Sequence, residues 1–449
     1  MNAPAATLPS PPQTILWGRS IAWLLFLGPF FFLSYGTANH LAASAGVSTS
    51  LFFEWERAIP FLAWTIVPYW SIDLLYGFSF LCCRGRQAVD RHALRLLTAQ
   101  LVSVACFLLF PLRFAFERPP ADGLAGAMFT ALSSFDQPYN QAPSLHIGLL
   151  VLVWFQFTRL PTHPAIKALI HTWALLIGVS VLTTWQHHFI DLPTGAAVGL
   201  LCLWLWPEHG SSPLANRLTG SPHRRTLAAR YLLGALALAA VALLGGGAFL
   251  WLFWPALSLF LVALNYAIAG AAGFQKQDGQ HRLAIRLLLA PYLAGAWINS
   301  RWWTRHHPQP DLIADGVWLG RIPTAAEFRH GGFAALLDLA AELPTPTGLP
   351  HGGHLPWLDL VPPTADELRV AARQIEQLRA HGPLLVACAL GYSRSAAAVA
   401  AWLHLSGRAV DMAEAIDIVR QQRPQIVLGA DWLAVFSEFE AQWRQEGYA

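Results

Sequence analysis

The sequence predicts a polytopic α-helical membrane bundle of about eight spans, followed by an α/β domain. Eight long apolar runs lie between residues 15 and 271, whereas residues 306–449 alternate strand-like and helix-like segments. Hydrophobic residues make up 55% of the 449-residue chain and charged residues 12%, with a mean hydropathy of +0.42. Such an apolar composition is typical of an integral membrane protein. The net charge of +3 gives no reason to propose nucleic acid as a partner.

The apolar runs approach the length of about 20 residues that crosses a bilayer. They cover residues 15–35, 58–82, 94–112, 144–160, 166–184, 189–206, 229–246 and 248–271. Arginines cluster within residues 84–95 and 217–230, and the positive-inside rule places both loops in the cytoplasm. We predict a six-span core over 1–206 and two further spans within 207–305. The bias toward Ala, Leu and Arg favours a bacterial cytoplasmic membrane.

The segment from Leu283 to Trp297 is apolar, is basic at both ends and contains Arg286 and Pro291. It is short for a span, so we expect an amphipathic helix on the membrane surface. The following domain, residues 306–449, would then be cytoplasmic, in contact with membrane lipids. The alternative is that this segment crosses the membrane and puts the domain on the outer face.

The C-terminal domain is predicted to contain a largely parallel sheet, because strands and helices alternate along it. The expected strands are 316–320, 334–339, 354–359 and 384–387, and the expected helices are 364–380, 393–406, 411–422 and 430–445. The strand 384–387 leads into a loop that begins with Cys388, and ligands bind at this end of such sheets.

The loop from Cys388 to Ser395 combines residues suited to attack on a phosphate. Its backbone N–H groups and the following helix can hold an anion, and Arg394 can bind two phosphate oxygens. This positive environment favours the thiolate form of Cys388. Ser395 can donate a hydrogen bond to the sulfur, and Gly391 permits the turn. The alternative is a buried structural cysteine before an ordinary helix.

An acid must protonate the departing oxygen, and the candidates lie within residues 355–367. Asp366 and Glu367 are explained by the start of a helix capped by Thr364. Asp359 ends a strand-like segment, enters a Pro-rich loop and is therefore the predicted acid; its alternative role is to cap that loop.

The last third of the chain resembles the cysteine-dependent dual-specificity phosphatases, whose signature loop has the same cysteine-to-arginine spacing. The resemblance implies catalytic roles for Cys388, Arg394 and Asp359, without a cofactor or metal. The family usually has His before the cysteine, where this chain has Ala387. The uncharged loop residues favour a phosphomonoester on a protein tyrosine or a simple lipid over a highly charged inositol polyphosphate.

A second group of polar motifs lies on the predicted outer loops and supplies cations, imidazoles and a carboxylate. The motifs are residues 113–120, 143–146 and 185–191. Polar groups at such positions are candidates for function, and this set suits phosphoryl transfer through a phospho-histidine. Binding of a metal and an inactive pocket are the alternatives.

Residues 60–206 resemble the type 2 phosphatidic acid phosphatase superfamily. The resemblance implies that His187 is the nucleophile, that Asp191 orients it and that His146 protonates the departing alcohol, although His188 is an alternative nucleophile. It further implies that phosphate is bound by Arg118, Arg113 and Ser144. The family places basic residues at the positions occupied here by Pro111 and by the segment 183–185, so two expected cations are missing.

The sequence therefore predicts a bifunctional membrane phosphatase that acts on a phosphorylated lipid or a phosphoprotein. One alternative is a transferase that moves a phosphate-containing head group between lipids and carries an attached cysteine phosphatase. The other is a membrane receptor that binds a phosphorylated ligand without turning it over.

Overall fold

The computed structural model describes residues 14–215 and 222–445, which divide into two compact units. Unit 1 is Met1–Ser212 and unit 2 is Pro213–Ala449. The two helices that follow the predicted six-span core thus belong to the same compact unit as the C-terminal α/β domain.

Unit 1 is helical over its described residues. Its α-helices are α1 (Trp17–Ser44), α2 (Ile66–Ser79), α3 (Arg86–Leu109), α4 (Gly123–Ser133), α5 (Leu145–Thr158), α6 (Pro164–Thr183) and α7 (Asp191–Leu205). Their buried apolar side chains form one continuous cluster. Large apolar side chains also remain exposed, for example Leu33 and Leu109.

In the described parts of the chain, five helices are long and apolar enough to cross a membrane. They are Trp17–Ser44, Arg86–Leu109, Pro164–Thr183, Pro222–Gly245 and Gly247–Phe274. Three of the eight predicted spans form the shorter helices α2, α5 and α7, of 14, 14 and 15 residues. A 14-residue helix extends only about 21 Å, less than the hydrocarbon thickness of about 30 Å. The structure thus supports five candidate spans and not eight.

Unit 2 begins with helices and a small hairpin. Its first elements are α8 (Pro222–Gly245), α9 (Phe253–Leu264), β1 (Lys276–Gln277), β2 (Gln280–His281), α10 (Leu283–Leu288) and α11 (Ala290–Trp303). The predicted amphipathic segment is therefore two helices that meet at Leu289.

The α/β part follows with five strands and five helices in its described residues. They are β3 (Asp311–Ala314), β4 (Val317–Arg321), α12 (Ala325–His330), β5 (Ala335–Ala340), β6 (His351–Trp357), α13 (Ala365–Leu378), β7 (Leu384–Cys388), α14 (Arg394–Leu405), α15 (Met412–Gln422) and α16 (Ala430–Gln445). The strand order is β3-β4-β7-β5-β6, antiparallel between β3 and β4 and parallel elsewhere. The predicted largely parallel sheet is confirmed.

The central strand β7 is buried along its whole length, as is nearly all of α14. Burial of Leu384, Val386 and Trp402 in the main core anchors the two elements on either side of the cysteine loop. A buried strand and a buried helix hold that loop at both ends, which fixes its backbone more firmly than a surface loop.

Candidate active site

The cysteine loop of unit 2 wraps around the sulfur of Cys388. The Gly391 backbone N–H donates to Sγ at 3.2 Å, and the Ser395 hydroxyl lies 3.2 Å from Sγ. Cys388 is buried, and it is the only cysteine of the chain beyond residue 212. The structure therefore places both Gly391 and Ser395 beside the sulfur, whereas the sequence analysis expected this contact for Ser395 and only a turn for Gly391.

Gly391 is required where the loop passes β4. Its φ is +75°, and a Cβ built on it would lie 2.6 Å from the Gly320 carbonyl oxygen. Both the positive φ and this close approach exclude a side chain without movement of the backbone.

The Arg394 guanidinium is fully buried and already holds two carboxylates. Nη1 and Nη2 donate to the Glu342 carboxylate at 2.8 and 2.6 Å, and Nη2 donates to Asp359 Oδ1 at 2.9 Å. The Trp357 carbonyl accepts a further bond from Nη1 at 2.8 Å. Arg394 and Asp359, predicted separately from the sequence, thus meet at one point.

The surroundings of Asp359 favour the protonated form of its carboxyl group. Burial raises the pKa of its carboxyl above the ordinary value, Arg394 opposes this shift, and Glu342 adds to it. Its loop is also held from other elements of unit 2, since Tyr266 donates to the Asp359 carbonyl at 3.0 Å and His223 Nε2 lies 3.0 Å from the Leu360 carbonyl.

Sequence reasoning missed Glu342, which follows the carboxyl end of β5. Strands β5 and β7 are parallel neighbours, so an acid just after β5 is expected near the loop that follows β7. That relation requires the strand order, which periodicity does not give.

Arg423 is a second missed residue, and it supports the loop from behind. It is completely buried, with Nε donating to the Gly391 carbonyl at 2.8 Å and Nη1 donating to Asp311 at 2.6 Å. In the sequence, Arg423 stands between the end of the predicted helix 411–422 and Pro424. No local pattern relates it to the cysteine loop.

Helix α11 contacts the cysteine loop directly. Ser300 Oγ donates to the Ala389 carbonyl at 2.5 Å, and the Tyr392 hydroxyl donates to the Trp303 carbonyl at 3.2 Å. The segment predicted to lie on a membrane surface therefore contacts the cysteine loop.

In unit 1, the predicted histidine pair shares a small cavity of about 60 Å³. His146 and His187 line it together with Asp73 and Asp136. His187 Nδ1 lies 3.2 Å from Asp191 Oδ2, and the ring of His146 stacks on Tyr69 with 4.1 Å between centroids. The structure thus brings His146, His187 and Asp191 together.

His188 is held at both ring nitrogens. Nδ1 lies 2.9 Å from Glu56 Oε2, and Nε2 accepts from the Ala115 N–H at 3.0 Å. Glu56 is buried and also accepts from the Phe189 N–H; it was missed because it lies 132 residues before His188. With both nitrogens bonded, His188 is poorly placed to act as a nucleophile.

The three residues of unit 1 that were predicted to bind phosphate, Arg118, Ser144 and Arg113, each have other contacts or are exposed. Arg118 donates from Nε to the Thr184 carbonyl at 3.1 Å and lies over the Phe129 ring. Ser144 is fully buried and accepts from the Ile147 N–H at 3.3 Å, as a helix N-cap does. Arg113 has an exposed side chain. Among the described residues, no group of three His, Cys, Asp or Glu side chains is arranged to hold a metal ion.

The C-terminal part of the chain matches one known family model. Residues 318–442 match the family model described as dual specificity phosphatase, catalytic domain. This part of the chain is a dual specificity phosphatase-like domain, and its match supports a phosphatase. The comparison with curated proteins finds no match.

Similar solved structures include human DUSP28, Tk-PTP in its active form and PTPMT1 in complex with PI(5)P. Their sequence identities are 22%, 27% and 20%, and their TM-scores are 0.28, 0.28 and 0.26. Each alignment covers 30% of this chain, and 99%, 99% and 96% of the respective structures.

Proposed function

We propose that this chain is an integral membrane phosphatase whose main active site is the cysteine site of unit 2, with a phosphorylated lipid or phosphoprotein as substrate. The observation that carries the proposal is that Ser395 lies against the Cys388 sulfur, that Arg394 of the same loop interacts electrostatically with Cys388, and that Arg394 is bonded to Asp359. The match of residues 318–442 to a phosphatase family supports the reaction class.

The first step forms a phospho-cysteine. Cys388 Sγ attacks phosphorus and the bond to the leaving oxygen breaks, while Asp359 transfers its proton to that oxygen. Arg394 and the loop N–H groups stabilise the charge on the equatorial oxygens. To bind phosphate, the Arg394 guanidinium must give up at least one of its hydrogen bonds to Glu342 and Asp359.

The second step releases inorganic phosphate. Water attacks phosphorus and the S–P bond breaks, while the Asp359 carboxylate accepts a proton from that water. The Ser395 hydroxyl donates to the departing sulfur, so that Cys388 leaves as a stabilised thiolate. No cofactor enters either step.

Phosphate release from p-nitrophenyl phosphate by the full chain in detergent tests the proposal. Cys388→Ser should abolish turnover, while Cys106→Ser, at a half-buried cysteine of unit 1, should leave it unchanged. Vanadate should protect Cys388 from alkylation. Full activity of Cys388→Ser, or no turnover by the wild type, would refute the assignment; retained phosphopeptide binding without turnover would favour a receptor.

A second activity at the histidine site of unit 1 is a further candidate. It is favoured by the His187–Asp191 pair and by the shared cavity with His146. The two acids in that cavity oppose an anionic substrate. The proposal is that His187 accepts the phosphate of a membrane lipid and passes it to water or to an alcohol.

The histidine site is tested in a Cys388→Ser background with phosphatidic acid as the probe. His187→Ala should remove the remaining release of phosphate, and His40→Ala, at an exposed histidine, should not. Added alcohol that becomes phosphorylated would indicate a transferase. No activity in the Cys388→Ser background would contradict the proposal.

A further inference from the structure

The cavity beside the cysteine loop is formed only in part by the phosphatase domain. It has a volume of about 320 Å³ and is lined on one side by Asp359, Glu342 and the loop residues Ala389 and Leu390. Its other walls come from α8, α9 and α11, through Tyr231, Leu259, Tyr292 and Asn299. A substrate that reaches Cys388 through this cavity must pass between these helices.

The chemistry of the cavity suits a substrate with one anionic group. Its charged lining residues, among those the structure describes, are Glu342 and Asp359, both acidic and both bonded to Arg394. The remaining walls offer tyrosine rings, an amide and aliphatic carbons. Additional phosphates would therefore meet no cation on the way in and would be disfavoured by the two acids.

Helices α8 and α9, which line the cavity, also carry apolar side chains on their exposed outer surfaces. Leu233, Leu236 and Leu244 of α8 are 69%, 59% and 89% exposed, and Trp254 and Phe260 of α9 are 48% and 41% exposed. Both helices also lie within segments long and apolar enough to cross a bilayer. Exposed apolar surface of this length is stable in contact with lipid tails and not with water.

We propose that the substrate of the cysteine site is a membrane lipid carrying a terminal phosphomonoester, which enters laterally between α8, α9 and α11. The inference rests on the proposed function of Cys388. The phosphate binds the loop, the polar part of the head group lies against Tyr231, Tyr292 and Asn299, and the apolar part begins at Leu259. A phosphoprotein fits this entrance less well, because peptide N–H and C=O groups that approach across the exposed apolar faces of α8 and α9 would lose water without gaining partners there.

The His187→Ala chain, in which the second candidate site is disabled, provides the first test in mixed micelles and is the parent of the cavity variants below. The specificity constant, kcat/KM, should be at least about tenfold higher for dioleoyl phosphatidic acid or dioleoyl phosphatidylglycerol phosphate than for a phosphotyrosine peptide, because only the lipids fill the apolar wall. It should also fall when dioleoyl chains are shortened to butyryl chains. A peptide preferred over both lipids, or no dependence on chain length, would overturn the inference.

A cavity variant separates this inference from the proposed function. Leu259→Trp, which fills the apolar wall, should lower kcat/KM for the lipid at least about tenfold and leave p-nitrophenyl phosphate turnover within about twofold. Leu236→Trp, on the exposed face of α8, is the matched control and should change neither. Unchanged lipid turnover in Leu259→Trp, or equal loss on both substrates in a folded variant, would overturn lateral entry. Failure of the wild type on p-nitrophenyl phosphate would instead refute the proposed function.

Discussion

Replacement of Lys276 by Met should destabilise unit 2 by about 3–5 kcal/mol, the cost of leaving a buried ion pair with one partner. The Lys276 ammonium lies in the β1–β2 hairpin, and its side chain is only 1% exposed. It donates to the carboxylate of Asp338 and to the carbonyl oxygens of Ala340 and Leu343, at 2.6 and 2.5 Å for the two carbonyls. This is the segment that leads from β5 to Glu342.

The expected loss of stability depends on the hydrogen bonds that Lys276→Met removes and on those that Asp338 retains. Each carbonyl that loses its donor costs about 1–3 kcal/mol if it stays dry. Asp338 keeps bonds from Thr345 Oγ1 at 2.5 Å and from the Ala340 N–H at 2.9 Å, which limits the loss. The carboxyl can also take up a proton, at about 1.4 kcal/mol for each unit of pKa shift. These opposing effects keep the expected total near about 3–5 kcal/mol.

The loss should depend on pH. Burial acts to raise the pKa of Asp338, but Lys276 and the other hydrogen-bond donors lower it below the ordinary value. In the wild type this group therefore stabilises the fold above its unfolded pKa of about 3.9, and the effect is lost as the pH falls through the folded pKa. Without Lys276 the penalty is greatest near neutral pH and shrinks toward pH 4.

Thermal and chemical unfolding of the full chain in detergent, followed by tryptophan fluorescence, measures the effect. Lys167→Met is the matched control, because Lys167 is the other lysine of the chain and is exposed. The pair Lys276→Met with Asp338→Asn should recover part of the loss, since the buried charge is gone. A loss under about 1 kcal/mol at pH 7, or one equal to that of Lys167→Met, would show that the hairpin is not held by this ion pair.

Three further predictions concern the cysteine site. Glu342→Gln should lower the pKa of Asp359, because the Glu342 carboxylate helps to raise it, so the high-pH limb of the kcat profile should move to lower pH; an unchanged limb would contradict this role. Arg423→Met removes the hydrogen bond to the Gly391 carbonyl and should lower kcat by about tenfold or more. The rate of Cys388 alkylation should change as well, because the loop around the sulfur is no longer held. Gly391→Ala should cost about 1–3 kcal/mol in backbone strain and remove most turnover, whereas a fully active variant would show that the loop can move away from β4.

Local sequence patterns predicted well the helix and the strand that lie next to the cysteine loop. The expected helix 364–380 is observed as Ala365–Leu378, and the expected strand 384–387 as Leu384–Cys388. The predicted strands 316–320, 334–339 and 384–387 match β4, β5 and β7, whereas the predicted strand 354–359 overlaps β6 only in part because β6 begins at His351 with polar and glycine residues. Strand Asp311–Ala314 was missed, since four residues that begin with an aspartate give little periodicity.

Residues that act over long sequence distances were not predictable in the same way. Glu342 reaches Arg394 across 52 residues, and Glu56 reaches His188 across 132. Such pairs depend on strand order and helix packing, which a single sequence does not encode locally. Hydropathy also predicted eight spans, but three of the runs form helices of only 14 or 15 residues. Two of these helices begin at polar positions, with Ser144 as the N-cap of α5 and Asp191 as the first residue of α7.

The isolation of Cys388 within unit 2 has a consequence for oxidative damage. A cysteine oxidised to sulfenic acid is commonly rescued when a neighbouring thiol forms a disulfide with it, and this unit contains no second thiol. Repair must come from a diffusible thiol small enough to enter between the helices, or from capture of the sulfur by a backbone nitrogen. Exposure to peroxide should therefore silence this enzyme for longer in cells depleted of low-molecular-weight thiols.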